Sequence, residues 1–538
     1  MEALQEDFTS MNFFINASMP KQKSGIEHAE LARFRLFNAH HVESRIVIRD
    51  WDPQLHVHAK EAGIADRQLI GMFDYFQEAL DVPSKNIVTA ELDFGVMNTH
   101  VQHEETRDLV FTARGQLVAR VNLNDDRTVQ SVELFDGFNN LFRVDHYDSR
   151  GFVSLSQWYT PDNKIGTETW QTPAGKTVLE TFNKDDAVGK RQKSGWRLID
   201  RDGTVRQFDT IERLTKHFFD LLNEAFWSET TPNIFVLDRA HLGDWGLLHL
   251  KRPAYTVFYL HNSHASDSQD PMHAILNNFY EFGMHAMNGY DAVVSATHRQ
   301  TRDVEARFSP QTKLFTIPVG IIPDHQLAEP RIPVAKRQFG KMVVFARIAW
   351  EKRLDDLVRA IGIVHRAIPA VSLDLYGYAD PSENFKARRA IEAAIKENHL
   401  EDVVKFKGYT TNIAEVENHA MMYGLTSRME GFNLGIMEAI SHGLIGFTYD
   451  VNYGPNEIIE DGINGRIVAN GDYKALAAAI LDVLRDPELA QHYSTGAYDS
   501  AERYSETNVW QAWQALLKDA QSKWPSKLQA VPAFAHKQ

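Results

Sequence analysis

The 538-residue chain contains no cysteine, and this absence excludes disulfide bonds, zinc–thiolate sites and a cysteine nucleophile. Positive charge is also in short supply, because 57 lysines and arginines stand against 72 aspartates and glutamates, for a formal net charge of −15. A global basic surface for DNA or RNA is therefore absent, and we expect no nucleic-acid partner. The lack of cysteine fits the cytosol of a bacterium.

Long apolar runs are missing as well. No stretch of about 18 apolar residues occurs, so we predict no membrane-spanning helix. The first ten residues, MEALQEDFTS, have neither a basic n-region nor an apolar h-region, and we interpret them as a tag or an alternative start before Met11. We expect a cytoplasmic protein, and attachment to the inner face of the membrane stays open.

Apolar material is ample, since 43% of the residues are hydrophobic. A chain of this length is too long for one core, because cores stop growing near about 250–300 residues. Strand and helix patterns alternate over residues 11–92, 211–330 and 340–505, which is typical of parallel sheets in Rossmann-like domains. Residues 506–523 are predicted to form a helix that crosses back to the first domain, followed by a loose tail.

Residues 93–210 have a sequence pattern that differs from the alternation of strands and helices on either side. Short strand patterns are separated by turn signals such as Asp136-Gly137 and Pro173-Ala174-Gly175. Strands about 8–12 residues apart with such turns predict an antiparallel sheet. We interpret this segment as an insertion into the first Rossmann-like domain, where it serves as a platform for an acceptor or for oligomerisation.

The strongest chemical motif is the segment EGFNLGIME, which begins at Glu430 and ends at Glu438. It follows a predicted strand and opens a helix, so the N–H groups of Phe432, Asn433 and Leu434 lie at a helix N-terminus. Such groups stabilise a diphosphate through hydrogen bonds and the helix dipole. The glycines within the segment would let the backbone approach a ligand closely.

The two carboxylates of this segment are eight residues apart. Along a helix that spacing spans about 12 Å. A glycosidase pair needs about 5–9.5 Å, so a hydrolytic pair is excluded. We interpret Glu430 and Glu438 as two contacts to different parts of one long ligand.

A second motif places two cations, Arg347 and Lys352, in a loop between a strand and a helix. A diphosphate needs such cations where no metal is present, because arginine offers a fork of donors and lysine a point charge. The alternative is a solvated basic loop.

Three weaker motifs follow strand ends. Gly408 and Tyr409 could leave backbone groups free for a nucleotide base, although strand–Gly–Tyr is more often a turn. Gly25 lies in a loop before the first helix that could meet a phosphate, but the loop lacks the G-x-G-x-x-G fingerprint. Either His261 or His264 could face a reacting group, or serve only as a structural hydrogen bonder. Zinc is disfavoured because no third ligand stands at the usual spacing, and we expect no metal.

Together these residues resemble the family-4 retaining glycosyltransferases, whose E-x7-E signature is similar to Glu430–Glu438 and whose diphosphate-binding pair is similar to Arg347 and Lys352. The motifs SGIEHA at Ser24 and MFDYF at Met72, together with the β-rich insertion, resemble a Gram-positive subgroup. That subgroup includes poly(glycerol-phosphate) α-glucosyltransferases of wall teichoic acid and accessory-secretion N-acetylglucosaminyltransferases. The resemblance implies an α/β GT-B fold, in which two Rossmann-like domains face a cleft and the first carries the antiparallel insertion.

Carried over position by position, the resemblance implies a complete donor site. The implied contacts are Glu438 to the ribose, Glu430 and the backbone of Phe432, Asn433 and Leu434 to the donor sugar, Arg347 and Lys352 to the UDP leaving group, Gly25 to the phosphates, Gly408 and Tyr409 to the base, and His264 to the reacting sugar and acceptor. The donor would be UDP-glucose or UDP-N-acetylglucosamine, with no cofactor and an α linkage. Leu434 stands where the signature usually has a small residue, which leaves the sugar open.

The acceptor is left open between two classes, an anionic glycerol-phosphate polymer, which we favour, and a Ser/Thr-rich surface protein. A partner subunit or a second copy could dock on the insertion. Another alternative is a non-catalytic, sugar-nucleotide-binding partner, but degenerate members of such families lose the carboxylates and cations that this chain keeps. An enzyme that forms sucrose or trehalose is disfavoured by the insertion.

Overall fold

A computed structural model of the chain describes residues 10–529, which form two compact units. Among these residues, the first unit comprises 10–27, 41–256 and 526–529, and the second comprises 28–40 and 257–525. The interpretation of the first ten residues as a tag or an alternative start falls, apart from Ser10, outside the described residues.

The first unit opens with alternating strands and helices. They are β1 (Asn12–Asn16), α1 (Gly25–Ala39), β2 (Ser44–Ile48), α2 (Leu55–Glu61), β3 (Leu69–Gly71) and α3 (Met72–Phe76). Helix α1 begins in this unit and continues in the second. Strand β1 is buried along its whole length, as expected for a strand covered on both faces.

The insertion is a ten-stranded antiparallel sheet whose strands follow one another in chain order. They are β4 (His100–His103), β5 (Arg107–Phe111), β6 (Leu117–Leu123), β7 (Val129–Phe135), β8 (Leu141–Tyr147), β9 (Val153–Tyr159), β10 (Ile165–Gln171), β11 (Thr177–Asp185), β12 (Arg191–Ile199) and β13 (Val205–Phe208). Such a meander needs only tight turns, which matches the turn signals of the sequence. The predicted antiparallel insertion is therefore confirmed.

The α/β pattern then returns with α4 (Ile211–Ala225), β14 (Ile234–Leu237) and α5 (Asp244–Leu248). Strand β14 pairs in parallel with β1, β1 with β2, and β2 with β3. The insertion thus interrupts a parallel sheet, because strands from both sides of it in the sequence are hydrogen-bonded neighbours.

A buried charge network fixes the insertion to α3. The Arg150 guanidinium donates to Asp148 Oδ1 at 2.7 Å and to Asp74 Oδ1 at 2.9 Å. Gln77 Nε2 donates to the carbonyl of Gln171 at 2.6 Å. Because buried charges are costly unless paired, the turn that carries Arg150 has one favourable position on the α/β part of this unit.

The second unit begins with β15 (Tyr255–Leu260), α6 (Glu281–His285), β16 (Ala292–Ser295), α7 (His298–Phe308), β17 (Lys313–Thr316) and α8 (Asp324–Leu327). Strand β16 pairs in parallel with β15 and β17. Strand β15 is buried throughout and ends one residue before His261.

A second parallel sheet follows in this unit. Its elements are β18 (Lys341–Phe345), α9 (Leu354–Ala367), β19 (Ser372–Tyr376), α10 (Ser382–Glu397), β20 (Val404–Gly408), α11 (Ile413–His419), β21 (Met422–Leu425), α12 (Leu434–Ser441), β22 (Ile445–Tyr449), α13 (Pro455–Ile458), β23 (Gly465–Val468), α14 (Tyr473–Arg485), α15 (Pro487–Ala501) and α16 (Glu506–Gln529). The strand order is β20-β19-β18-β21-β22-β23, and all pairs are parallel. This is the doubly wound order. The chain first adds strands on one side of β18, as far as β20, and then returns to add β21 and the later strands on its other side.

The last helix, α16, is longer than predicted. Residues 524–529 continue it, and Trp524 is buried, so the expectation of a loose tail beyond Lys523 is wrong for these residues. Within the second unit, the Phe37 ring of α1 lies 5.4 Å from the rings of both Trp510 and Trp513. No helix within residues 10–529 is long and apolar enough to span a membrane.

Candidate active site

The predicted functional segments lie at the switch point of the second parallel sheet. The loop with Arg347 and Lys352 leaves the carboxyl end of β18, and the segment with Glu430 leaves the carboxyl end of β21. These two strands are neighbours at which the winding reverses. Ligands of open α/β sheets bind in the crevice at such a point, so the topology brings the two strongest motifs to the expected place.

Lys352 and Glu430, which are 78 residues apart in sequence, form an ion pair. Lys352 Nζ donates to Glu430 Oε1 at 2.7 Å, and Ser427 Oγ donates to the same oxygen at 2.5 Å. The side chains are only 17% and 8% exposed, so solvent screens the pair weakly. The pair holds the ammonium at a fixed position, and two further N–H donors of that group remain for a ligand.

Arg347 is more exposed and is held by two carboxylates. Its guanidinium donates to Asp380 and to Glu351, and its side chain is 40% exposed. Sequence reasoning missed both partners. Hydrogen bonds from Ser382, together with the charge of Arg347, keep the pKa of Asp380 below its ordinary value. Because a guanidinium has five N–H donors, these contacts orient it and leave donors for an incoming anion.

The glycines of the E-x7-E segment have a role that differs from the predicted one. A Cβ on Gly431 would lie 1.9 Å from the carbonyl oxygen of His261, and a Cβ on Gly435 would lie 2.4 Å from Tyr423 Oη. Both distances are far below contact, so these glycines allow the segment to pack against the protein itself. The expectation that they admit a ligand is thus replaced by a structural requirement.

Asn433 begins α12. It has a positive φ of 77°, and its Oδ1 accepts a hydrogen bond from the N–H of Ile436 at 2.9 Å. The side chain is therefore a helix cap, while the first backbone N–H groups of α12, at Leu434 and Gly435, have no acceptor within the helix. Phe432 is buried with its ring edge-on to Tyr504, so only its backbone is available to a ligand. The predicted backbone contacts at Phe432, Asn433 and Leu434 remain geometrically reasonable.

Glu438 lies further along α12 and is half-buried. Burial raises the pKa of its carboxyl group, and no ion pair or hydrogen bond to that group is found within residues 10–529. Beneath it, Glu417 is fully buried, and burial together with the nearby Glu438 raises the pKa of Glu417 well above its ordinary value. A buried carboxylate without a partner is costly, so Glu438 is a group that gains from hydroxyl donors of a ligand.

The structure distinguishes the two histidines after β15. His264, which we expected near the reacting sugar, is completely buried, and its ring stacks on that of Tyr453 at 6.1 Å. Burial lowers its pKa, and Nε2 faces the carbonyl of Pro271 at 3.2 Å. The side chain is not exposed to a substrate in this structure, so a role of His264 at the reacting sugar stays a prediction that the burial does not favour. His261 is half-exposed and its backbone packs on Gly431, which makes it the better candidate.

An exposed aromatic group adjoins the site and was not predicted. Trp350, in the loop between Arg347 and Lys352, is 45% exposed, and the Arg428 guanidinium lies 5.0 Å above its ring. Tyr409 is 58% exposed directly after Gly408, which has a positive φ of 72°. Such rings can stack on a planar base, so Tyr409 remains a candidate for base binding.

Gly25 belongs to the first unit, at the start of α1. It is exposed, and a Cβ at this position would meet no atom within 4 Å. The turn before it is ordered by Glu27, whose carboxylate accepts from the Ser24 N–H at 2.7 Å and from Arg239 at 2.8 Å. Glu27 thus satisfies the N–H that precedes the helix, and a phosphate contact at Gly25 stays a prediction.

Within residues 10–529, no group of three or more His, Asp or Glu side chains is arranged to hold a metal ion.

A doubly wound domain that presents two cations and two carboxylates at its switch point is suited to a sugar nucleotide. Residues 329–500 match the family described as glycosyl transferases group 1. Residues 329–500 thus form a glycosyltransferase domain, and the chain has the GT-B fold with an antiparallel insertion, as predicted.

Similarity to known proteins extends over almost the whole chain. The poly(glycerol-phosphate) alpha-glucosyltransferase of Bacillus subtilis (strain 168) is 24% identical over 519 residues, which cover 94% of this chain and 74% of that protein. The UDP-N-acetylglucosamine–peptide N-acetylglucosaminyltransferase GtfA subunit of Streptococcus gordonii is 26% identical over 538 residues, covering 94% and 98%. The crystal structure of the pneumococcal O-GlcNAc transferase GtfA in complex with UDP and GlcNAc has a TM-score of 0.78 at 22% identity and covers 95% and 99%.

Proposed function

We propose that this chain transfers glucose or N-acetylglucosamine from a UDP-sugar to poly(glycerol-phosphate) wall teichoic acid, with retention of configuration and without a metal. The observation that carries the proposal is the ion pair of Lys352 with Glu430 just before the N-terminus of α12, the helix that also carries the unpaired carboxyl of Glu438. These residues are far apart in sequence and meet at the switch point of one sheet, which favours a shared function. The relatives are named for a UDP-sugar donor or for a polymer acceptor.

The proposed chemistry follows from charge. As the bond between the sugar C1 and the phosphate oxygen breaks, negative charge develops on the β-phosphate of UDP. Lys352, Arg347 and the first N–H groups of α12 stabilise that charge without reorganisation. The acceptor hydroxyl then bonds to C1 on the face that UDP leaves, and its proton passes to the departing phosphate.

The remaining residues hold the donor. Glu438 accepts hydrogen bonds from the ribose hydroxyls, which relieves the cost of its burial. Glu430 fixes Lys352 and accepts from a sugar hydroxyl with its second oxygen. Tyr409 lies against the base, and His261 takes the place beside the reacting sugar that we first gave to His264.

The second candidate acceptor is a Ser/Thr-rich protein. It is favoured by the relative from Streptococcus gordonii, which this chain matches over 98% of that protein's length. Since that relative is described as a subunit, the protein-acceptor alternative includes a partner chain on the β4–β13 sheet. A second copy of this chain is the other occupant of that sheet. For either acceptor we propose action in the cytoplasm, with or without attachment to the inner face of the membrane.

The test is a matrix of two donors and two acceptors. Labelled UDP-glucose and UDP-N-acetylglucosamine are each incubated with poly(glycerol phosphate) and with a Ser/Thr-rich polypeptide, with and without a chelator. We expect transfer to the polymer, an α-anomeric signal in the NMR spectrum of the product, and no effect of the chelator. Transfer to the polypeptide alone would select the second candidate.

The same donors without acceptor test for catalysis itself. Slow release of UDP supports an enzyme, because water replaces the acceptor. Binding of UDP without release under any condition would point to a non-catalytic partner subunit.

A further inference from the structure

A large cavity lies in the first unit, between the insertion and the α/β part that carries it. Its volume is about 690 Å³, within the range of about 300–1,000 Å³ that is typical of small-molecule sites. The lining residues that matter here belong to β9, β10 and β12 and to the loop after β2. They are Trp51, Gln157, Glu168, Trp170, Lys193 and Trp196. None of them belongs to the donor site.

Aromatic rings form one side of this cavity. The rings of Trp170 and Trp196 lie 5.5 Å apart and are tilted by 32°, and Phe73 packs against Trp170 at 5.0 Å. Trp51 stands apart from them and donates its N–H to Ser154 Oγ at 2.9 Å, which fixes its ring. Rigid aromatic rings offer flat apolar surface at a low entropic cost.

A buried carboxylate lies beside the rings. Glu168 is 3% exposed and accepts from Gln157 Nε2 and Asn183 Nδ2, both at 3.0 Å, and pairs with Lys193 at 3.0 Å. Burial works to raise the pKa of Glu168, but the Lys193 charge and the two amides hold it below its ordinary value. The carboxylate is thus charged and fixed in position, and both of its oxygens already accept from these three side chains.

Lys193 occupies the position that a cationic ligand would need. Its ammonium lies 5.2 Å from the Trp170 ring and 5.7 Å from the Trp196 ring. A quaternary ammonium would have to displace it from both rings and from Glu168, which removes three favourable contacts at once. An aromatic cage for a free cation is therefore disfavoured.

Charge also disfavours a phosphate. The lining includes two cations, Arg49 and Lys193, but four carboxylates, at Asp50, Glu168, Asp209 and Glu212. The excess of two negative charges repels an anion, so the phosphates of a teichoic acid would not enter. Trp170 and Trp196 are buried beneath Lys193, so a neutral ligand with many hydroxyl groups would bond to exposed lining residues such as Gln192 and Glu212. Its apolar C–H face would lie against Trp51, which is partly exposed.

We propose that this cavity is a binding site for a neutral sugar residue, distinct from the donor site. If the proposed function holds, the sugar is one that the acceptor already carries, and the insertion retains a partly glycosylated polymer or protein for further transfer. The binding itself does not depend on the proposed function, because it is measured without donor turnover.

The experiment measures binding of methyl α-glucoside, methyl α-N-acetylglucosaminide and maltose to the full chain by calorimetry and saturation-transfer NMR. Saturating UDP is present throughout so that the donor site is occupied. We expect a dissociation constant of about 1 mM for at least one saccharide, as is common for small ligands with few contacts. Glycerol 3-phosphate and choline serve as anionic and cationic comparators, and we expect neither to bind in the cavity.

Three variants locate the site. Glu168→Gln releases Lys193 from its fixed place in the cavity wall and Gln192→Ala trims an exposed wall residue, and each should weaken binding, Glu168→Gln by about tenfold. Glu133→Gln is the matched control, since Glu133 is likewise paired with a cation of this sheet, Arg120 at 2.6 Å, but lies outside the cavity. Release of UDP from donor should be the same in all three.

Several outcomes would overturn the proposal. One is the absence of saccharide binding in the parent protein at tens of millimolar. Others are binding that both cavity variants retain at full strength, or binding of choline or glycerol 3-phosphate that both variants abolish. Gln192 is exposed, so its substitution leaves the core intact and keeps the test informative even if Glu168→Gln does not fold.

Discussion

Substitution of Lys352 by alanine is the sharpest test of the leaving-group role, because the same sheet contains a closely matched ion pair elsewhere. Lys352 pairs with Glu430 at 2.7 Å with side chains 17% and 8% exposed. Lys341 pairs with Asp374 at 2.6 Å with side chains 16% and 7% exposed. Lys341 begins β18, at the opposite end of the strand from the site, so the two pairs share burial and geometry but not position.

The two substitutions should therefore cost similar stability. Removing one partner of a fully buried pair costs about 3–5 kcal/mol, and an exposed pair is worth about 0–1 kcal/mol. Since both lysines keep some contact with solvent, we expect about 1–3 kcal/mol for each substitution. Turnover should separate them, because loss of one preorganised group that stabilises developing charge costs about 10²–10³ in kcat.

Urea unfolding gives the free energy of unfolding of each variant, and release of UDP at saturating donor gives turnover. We expect Lys341→Ala to keep near-parental turnover and Lys352→Ala to lose it while remaining folded. Equal turnover in the two variants would refute the leaving-group role of Lys352. A third variant, Glu430→Gln, keeps the lysine but loosens it, and should lie between the two in turnover.

Three further predictions concern the same site. Because burial raises the pKa of Glu438, the folded state loses stability as pH rises from about the ordinary value of 4.5 through the raised pKa. Glu438→Gln should therefore be more stable than the parent at neutral pH and equally stable in acid. Its affinity for UDP, measured by calorimetry, should be lower. A variant no more stable than the parent at neutral pH would contradict this. Gly431→Ala should cost more than about 3 kcal/mol in urea unfolding because the new Cβ meets backbone atoms, whereas Gly25→Ala, with open space, should change stability by less than about 1 kcal/mol. Finally, His261→Ala should lower kcat with little loss of stability. His264→Ala should lower the unfolding free energy by about 2–4 kcal/mol. A loss of kcat in a stable His264→Ala variant, with normal kcat in His261→Ala, would return His264 to the site.

The strands of the second parallel sheet were largely predictable because they are buried on both faces and read as continuous apolar runs. Strands β19 (Ser372–Tyr376) and β22 (Ile445–Tyr449) are examples of such runs. Strand β23 gives a weaker signal, since its sequence GRIV is short, carries an arginine and is partly exposed. An edge strand of this kind is defined by its pairing with β22, and no local sequence pattern predicts it.

The members of the candidate site could be predicted where one motif supplied them, and not where distant segments meet. Arg347 was identified from its loop, but its partner Asp380 is 33 residues away after another strand. The choice between His261 and His264 had the same difficulty, because two histidines three residues apart at a strand end look equivalent in sequence. Only the packing of Tyr453 and Phe308 on His264 distinguishes them.

The two carboxylates of the E-x7-E segment are not equivalent, and the difference explains why both are needed. Glu430 is compensated within the protein, since Lys352 and Ser427 already satisfy one of its oxygens. Its main effect is on the cation, which it holds still while charge develops on the leaving group. Glu438 has no such compensation and is costly to bury until a ligand donates to it. We therefore propose that the first carboxylate contributes to the rate and the second to affinity, so substitutions at Glu430 should act mainly on kcat and those at Glu438 mainly on donor binding.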